Sequence, residues 1–296
     1  MQPQRLPVLF IGHGNPMNAI ERNEFHRSWE ALGRRLPRPK AILCVSAHWE
    51  TRGVYVTASE RPETIHDFYG FQKALFDVQY PAPGAPPLAR RTVELLTDKR
   101  ACLDPGRGLD HGAWSVLIAM YQQADVPVVQ LSLDTSKPAA FHYGLAKALA
   151  PLRNEGVLII GSGNIVHNLG QFSFHDPAPF DWAINFDEEV KQRLLAGEHE
   201  ELMAYETLGP NARLAVPTPE HYLPLLYVIA LQEQGEAISF FNSTVLSSIS
   251  MTSMLIWDVS STGCGTQGFR LGMTHVACSP LLNTAFDRRG LFPAHR

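Results

Sequence analysis

The stretch Pro7-Val8-Leu9-Phe10-Ile11-Gly12-His13-Gly14-Asn15-Pro16-Met17 decides how the chain is read. A short run of β-forming apolar residues closed by glycine reads as a buried strand that empties into a tight loop. His13 then stands at the carboxyl end of that strand, where open α/β sheets place their chemistry. The flanking Gly12 and Gly14 carry no side-chain bulk, so a metal or a flat substrate is expected to approach the backbone closely. One histidine between glycines is a weak sign. It gains weight because the arrangement recurs.

Residues 24–36 place Phe25, Trp29, Leu32 and Leu36 at helical spacing, and Pro37 and Pro39 close the segment. Residues 40–50, Lys-Ala-Ile-Leu-Cys-Val-Ser-Ala-His-Trp-Glu, form a second buried strand that presents His48 just past its end. As parallel neighbours joined by the helix, the two strands would lie about 4.8 Å apart and deliver His13 and His48 to one sheet edge. Gly156 to Gly161 is a third such strand, opening through Ser162 and Gly163 toward His167, which is expected within a short helix. Gly53–Ala58 and Pro127–Leu133 read as further strands, with helices over 86–96, 138–149, 180–195 and 198–205. Gly106 to Trp114 places His111 at a helix entrance, where the helix dipole disfavours an imidazolium. Thr218 is expected to cap a helix with His221 in its first turn, and β-like sequence over 237–241 and 245–256 follows. Residues 64–71 form an aromatic segment in which His66, Phe68 and Tyr69 are candidates for a pocket wall.

The chain has 296 residues, 45% of them hydrophobic, enough for one large α/β domain. With 25 basic and 29 acidic residues, a net charge of -4 and no block of like charge, it lacks the footprint of a nucleic-acid or anionic-membrane partner. No run reaches signal-peptide or transmembrane length, so a cytoplasmic location is expected. Cys44, Cys102, Cys264 and Cys278 are scattered without a Cys-x-x-Cys pair, which excludes a zinc ribbon or a thioredoxin-like site. Of twelve histidines, His26, His142, His175 and His199 lie in polar or helical surroundings and are expected at the surface. His275 and His295 fall in the segment 258–296, which shows no sustained periodicity and is expected to be a poorly ordered extension to a domain spanning 1–257.

His13, His48, His167 and His221 all follow strand or helix breaks, a spacing too wide for a zinc finger and compatible with a catalytic metal in a cleft. Their settings carry a resemblance. Gly12-His13-Gly14-Asn15-Pro16-Met17, Ser46-Ala47-His48-Trp49, Leu109-Asp110-His111-Gly112-Ala113-Trp114, Gly161-Ser162-Gly163 with His167-Asn168, and residues 218–224, Thr-Pro-Glu-His-Tyr-Leu-Pro, occur in this order. Together they resemble the 4,5-DOPA extradiol dioxygenase family of the class III, LigB-like superfamily, over residues 6 to 256.

The resemblance implies a single three-layer α/β domain with a central mixed sheet flanked by helices. It implies a mononuclear divalent metal held by His13, His48 and His221. His167 matches a histidine described as ligand or acid/base group, and His111 one that lies behind the ligands or faces the substrate; in the implied reaction His167, with His111 as second choice, takes the second phenolic proton of the substrate. The implied reaction is extradiol cleavage of a catechol such as L-DOPA by O2 to a muconate semialdehyde-type product. Fe2+ is the metal expected for it. The superfamily often uses a carboxylate as third ligand, so Glu220, beside His221, is a secondary candidate. Three neutral imidazoles also suit Zn2+, which cannot reduce oxygen. A zinc-dependent hydrolase using Glu220 or Glu50 as base, or a non-enzymatic binding protein of the same fold, are therefore the competing readings. A chain cut after Trp257 is expected to fold and bind metal. Thermal unfolding checks this, and loss of a cooperative transition would refute the domain limit.

Overall fold

The computed structural model describes residues 5–173 and 176–259. Ten strands occur among them: β1 Val8–Gly12, β2 Ala41–Thr51, β3 Tyr55–Thr57, β4 Cys102–Asp104, β5 Val128–Asp134, β6 Val157–Gly163, β7 Glu236–Phe241, β8 Val245–Leu246, β9 Ile249–Ser250 and β10 Ser253–Asp258. Eight of them form one mixed sheet in the order β4-β3-β5-β2-β6-β1-β10-β7. The inner strands β5, β2, β6 and β1 run parallel, whereas on one side β10 pairs antiparallel with β1 and β7 antiparallel with β10.

Alternate residues of each strand point to opposite faces, and two cores result. Val8, Phe10, Leu43, Val45, Leu131 and Ile159 share one core with helices α3 Pro86–Leu95, α5 Ala139–Lys147, α7 Asp181–Ala196 and α10 Leu223–Ile229. Leu9, Ile11, Ile42, Cys44, Leu158 and Ile160 share the other with α1 Glu24–Arg35 and α4 His111–Met120. The inner strands are apolar on both faces because both are covered. The fold is the expected three-layer α/β arrangement.

Several local expectations change. β1 and β2 are not neighbours: β6 lies between them and pairs parallel with both. Their carboxyl ends still share one sheet edge, because all three strands point the same way. His48 is not past the end of β2, which continues to Thr51; it sits in an irregular stretch where the pairing with β5 shifts between Val45 and Glu50. The room at Gly12 and Gly14 is not left for a ligand. A Cβ at Gly12 would meet the Met251 backbone at 2.7 Å, and one at Gly14, whose φ is +58°, would meet Met251 Sδ at 2.3 Å.

Two histidines expected at the surface are buried. His26 Nδ1 contacts the Asn18 carbonyl at 2.9 Å, and His142, with no exposed surface, pairs through Nδ1 with the Tyr227 hydroxyl at 2.9 Å. His199 is half-buried between Tyr143 and Gln232. His175 and the segment 260–296 lie outside the described residues, and β10 ends at Asp258, beside the expected limit at 257. Among the described residues no helix is long and apolar enough to cross a membrane.

Gly163 ends β6 where the turn carrying His221 crosses it. A Cβ there would meet the His221 carbonyl oxygen at 2.1 Å, a backbone atom that cannot swing aside. Gly163→Ala is expected to destabilise the protein by about 1–3 kcal/mol through overpacking, and to weaken metal binding by displacing His221. Denaturant unfolding and metal titration check this, and unchanged values for both would count against the packing argument.

Candidate metal and active site

Five imidazoles from five separate segments meet at the carboxyl edge of the parallel strands. His13 follows β1, His48 sits in the irregular stretch of β2, and His111 is the first residue of α4, behind the N-cap Asp110. His167 lies four residues past β6, not within a short helix but in a loop that makes an isolated bridge to Ile249. His221 lies in a turn two residues before α10 rather than inside it. Thr218 does not cap that helix; its hydroxyl donates to Glu220 Oε1 at 2.9 Å, and the backbone N–H groups of Tyr222 and Leu223 close the turn on the Pro219 carbonyl.

The ring centroids of His13 lie 5.0 Å from His48, 5.4 Å from His221 and 5.9 Å from His111. His48 is 3.8 Å from His111 and 4.9 Å from His221. His167 stacks on His221 at 3.4 Å with 10° between the planes. Candidate ligand atoms of His13, His48 and His111 fall within 4.8 Å of one another, as do those of His167, Glu220 and His221. All five histidines singled out in the sequence are therefore brought together.

Hydrogen bonds at the rear of these rings fix their tautomers. Ser162 Oγ donates its hydrogen to the Gly112 carbonyl at 2.6 Å, so toward His13 Nδ1, 3.0 Å away, it can only accept. His13 thus carries its proton on Nδ1 and directs the Nε2 lone pair at His48 Nε2, 3.0 Å away. His221 Nδ1 donates to Glu220 Oε1 at 3.0 Å, leaving a buried Nε2 with no hydrogen-bond partner. An orphaned buried acceptor in a cluster of imidazole rings fits a divalent metal, with neutral donors suited to both iron and zinc. Glu220 stands behind His221 as the group that orients it, an arrangement common around metal-binding histidines.

Burial lowers the imidazoles of His13, His48 and His221 well below their ordinary value, and repulsion among the neighbouring rings lowers them further. Burial likewise brings His167 down to about 4, with the His111 ring adding to the effect.

Sequence reading missed the groups around the histidines. Asp67 Oδ1 accepts from both the backbone N–H and Nδ1 of His111, at 3.0 and 2.9 Å. Burial alone would raise this carboxyl, but the His111 contacts outweigh it and hold it at about 2. Asp110, fully buried, caps α4 at Ala113, accepts from Ser46 at 2.7 Å and Gln130 at 2.7 Å, and lies 3.4 Å from Arg107. Of the aromatic segment, Phe68 packs edge-on against His111 with centroids 5.5 Å apart. His66 bonds instead to the Val78 carbonyl, and Tyr69 is 92% exposed.

Comparison with known proteins places this geometry. The model for the catalytic LigB subunit of aromatic ring-opening dioxygenase matches residues 7–252. The chain belongs to that family. The 4,5-DOPA dioxygenase extradiol of Escherichia coli K12 is 51% identical over 261 residues, covering 86% of this chain and 96% of that protein. The Beta vulgaris protein of the same name is 45% identical over 237 residues, covering 77% and 87%. A crystal structure of an uncharacterized protein from Escherichia coli K12 superposes with a TM-score of 0.75 at 47% identity, covering 86% of this chain and all of that one. The chain is thus an extradiol ring-opening dioxygenase of the DOPA dioxygenase family.

The lowered imidazoles have a signed consequence. Unfolded histidines titrate near 6.5, whereas His142 and His167 titrate at about 4 in the fold and His13, His48 and His221 well below 6.5. Within that interval the unfolded chain binds more protons, so this stability is complete above 6.5 and is lost as pH falls toward 4. Denaturation midpoints of the metal-free protein are expected to be level above about pH 7 and to fall from 6.5 to 4. A level profile down to pH 4 would contradict the assignment.

Proposed function

We propose that the chain opens the ring of a catechol, with L-DOPA the first substrate to test, giving a muconate semialdehyde-type product, and that His13, His48 and His221 hold Fe2+ for this reaction. The observation that carries the reading is that the His221 ring, whose buried Nε2 has no hydrogen-bond partner, lies 5.4 Å and 4.9 Å by ring centroid from His13 and His48, whose Nε2 atoms are 3.0 Å apart. A bound Fe2+ would supply the Lewis acidity and the electron transfer to O2 that ring opening requires, neither of which a side chain provides. Zn2+ fits the same donors and is the inactive occupant.

The geometry argues for a different duty at His167. Imidazole lone pairs lie in the ring plane, and two nearly parallel rings 3.4 Å apart cannot both aim theirs at one ion. His167 is therefore assigned to the substrate side of the cluster rather than to the ligand set. His111 has a carboxylate, Asp67, against the rear nitrogen of its ring, an arrangement that steadies an imidazole while it takes up a proton. We assign His111 the proton of the substrate's second hydroxyl, with His167 as the neighbouring acid/base group. Phe68, edge-on to His111, supplies an apolar wall for a flat ring.

The test is anaerobic loading with Fe2+ followed by oxygen uptake with L-DOPA or a simple catechol, with the yellow ring-opened product read by absorbance. Stoichiometric uptake that disappears in His13→Ala and His48→Ala is expected. Silence from iron-loaded protein with every catechol would refute the substrate class.

A further inference from the structure

Asp67 belongs to none of the histidine motifs, and its partner lies 44 residues away. Its segment is nevertheless firmly held. Ile65 N–H donates to the Leu109 carbonyl at 2.8 Å, Trp114 Nε1–H donates to the Ile65 carbonyl at 2.8 Å, and His66 Nε2 donates to the Val78 carbonyl at 3.0 Å. Trp114 lies one turn along the helix that His111 begins, so the segment is clamped to the same element whose first residue it contacts. Asp67 Oδ1 then takes two donors from one residue, the backbone N–H and the ring Nδ1–H of His111. The backbone bond fixes where the carboxylate sits. The ring bond fixes what the imidazole presents.

An ionised carboxylate has no hydrogen to give, so the contact requires the proton on Nδ1. A neutral imidazole has only one such proton, and Nε2 is left with a free lone pair. We propose that Asp67 is a positioning residue for ring opening: it holds His111 as the Nδ1–H tautomer, with Nε2 kept free to accept a hydrogen bond from the substrate. This rests on the proposed catechol substrate at this site. It parallels the treatment of His13 by Ser162 and of His221 by Glu220, so three of the five rings are locked from behind in the same tautomer.

The role needs an acceptor oxygen at this point rather than a negative charge, which separates two variants. In Asp67→Asn the amide oxygen can still accept both bonds, whereas in Asp67→Ala neither survives. The full chain is labelled with 15N and loaded with Zn2+, which is diamagnetic, and long-range 1H–15N spectra report each ring's tautomer. The His111 signal is assigned by its loss in His111→Phe. Wild type and Asp67→Asn are expected to show the Nδ1–H form, and Asp67→Ala a mixture or the Nε2–H form. With Fe2+, kcat of Asp67→Ala is expected to fall about 10–100-fold, the usual effect of losing such an outer partner, with KM and metal content little changed and Asp67→Asn close to wild type.

An Nε2–H tautomer in wild type would overturn the proposal. So would an unaltered tautomer in Asp67→Ala, or equal losses in both variants that track thermal stability, since those mark a purely structural contact. If Asp67→Ala does not fold, the wild-type and Asp67→Asn spectra decide alone. The tautomer is read without turnover, so an inactive wild type with the Nδ1–H form would count against the substrate assignment and not against the lock itself.

Discussion

A serine hydroxyl has one hydrogen, and at Ser162 it is spent on the carbonyl of Gly112. That one constraint makes His13 the donor from Nδ1 and turns its Nε2 lone pair toward His48. The same oxygen also joins three elements, because Ser162 belongs to β6, His13 follows β1 and Gly112 lies in the first turn of α4. Strand spacing, helix position and ligand tautomer are thereby tied to a single atom. The arrangement depends on Gly112 lacking a side chain, since a Cβ there would stand 2.4 Å from Ser46 Oγ and 2.9 Å from the His48 ring. Closeness of α4 to the sheet is what lets His111 enter the cluster.

Carboxylates are present around the site but stand one step back from its centre. Glu220 bonds the rear of His221, Asp67 the rear of His111, and Asp110, the N-cap behind His111, is bonded to Ser46 and Gln130. Burial raises the Asp110 carboxyl, the nearby Asp67 raises it further, and the Ser46 and Gln130 bonds oppose that rise. The inner donors are therefore neutral imidazoles.

What the sequence made legible was local. An apolar run ending in glycine and histidine is a signal contained within about ten residues, and it marked His13 and His48 as members of one sheet edge. The insertion of β6 between β1 and β2 rests on pairings across more than a hundred residues of chain, Val8 with Ile159 and Ala41 with Val157, that no local pattern encodes. The burial of His142 has the same origin, since its partner Tyr227 is 85 positions away. His221 was placed inside a helix because Thr218 and Glu220 imitate a cap. The Pro219 carbonyl instead collects the N–H groups of Tyr222 and Leu223, and the helix begins only at Leu223. Asp67 was visible as an acid among aromatics, but only the packing of residues 64–71 on α4 gives it a partner.

Five imidazoles in mutual contact create an electrostatic problem that decides how the site can handle protons. A charged ring would be poorly solvated and would repel its neighbours, which is why burial and the adjacent rings both drive His13, His48 and His221 toward the neutral form. A metal entering at neutral pH consequently displaces no protons from them, and competition from protons begins only as the solution becomes acidic. Two of the rings are backed by carboxylates, His111 by Asp67 and His221 by Glu220, and a carboxylate that accepts from Nδ1 fixes in each ring which nitrogen is left without a hydrogen.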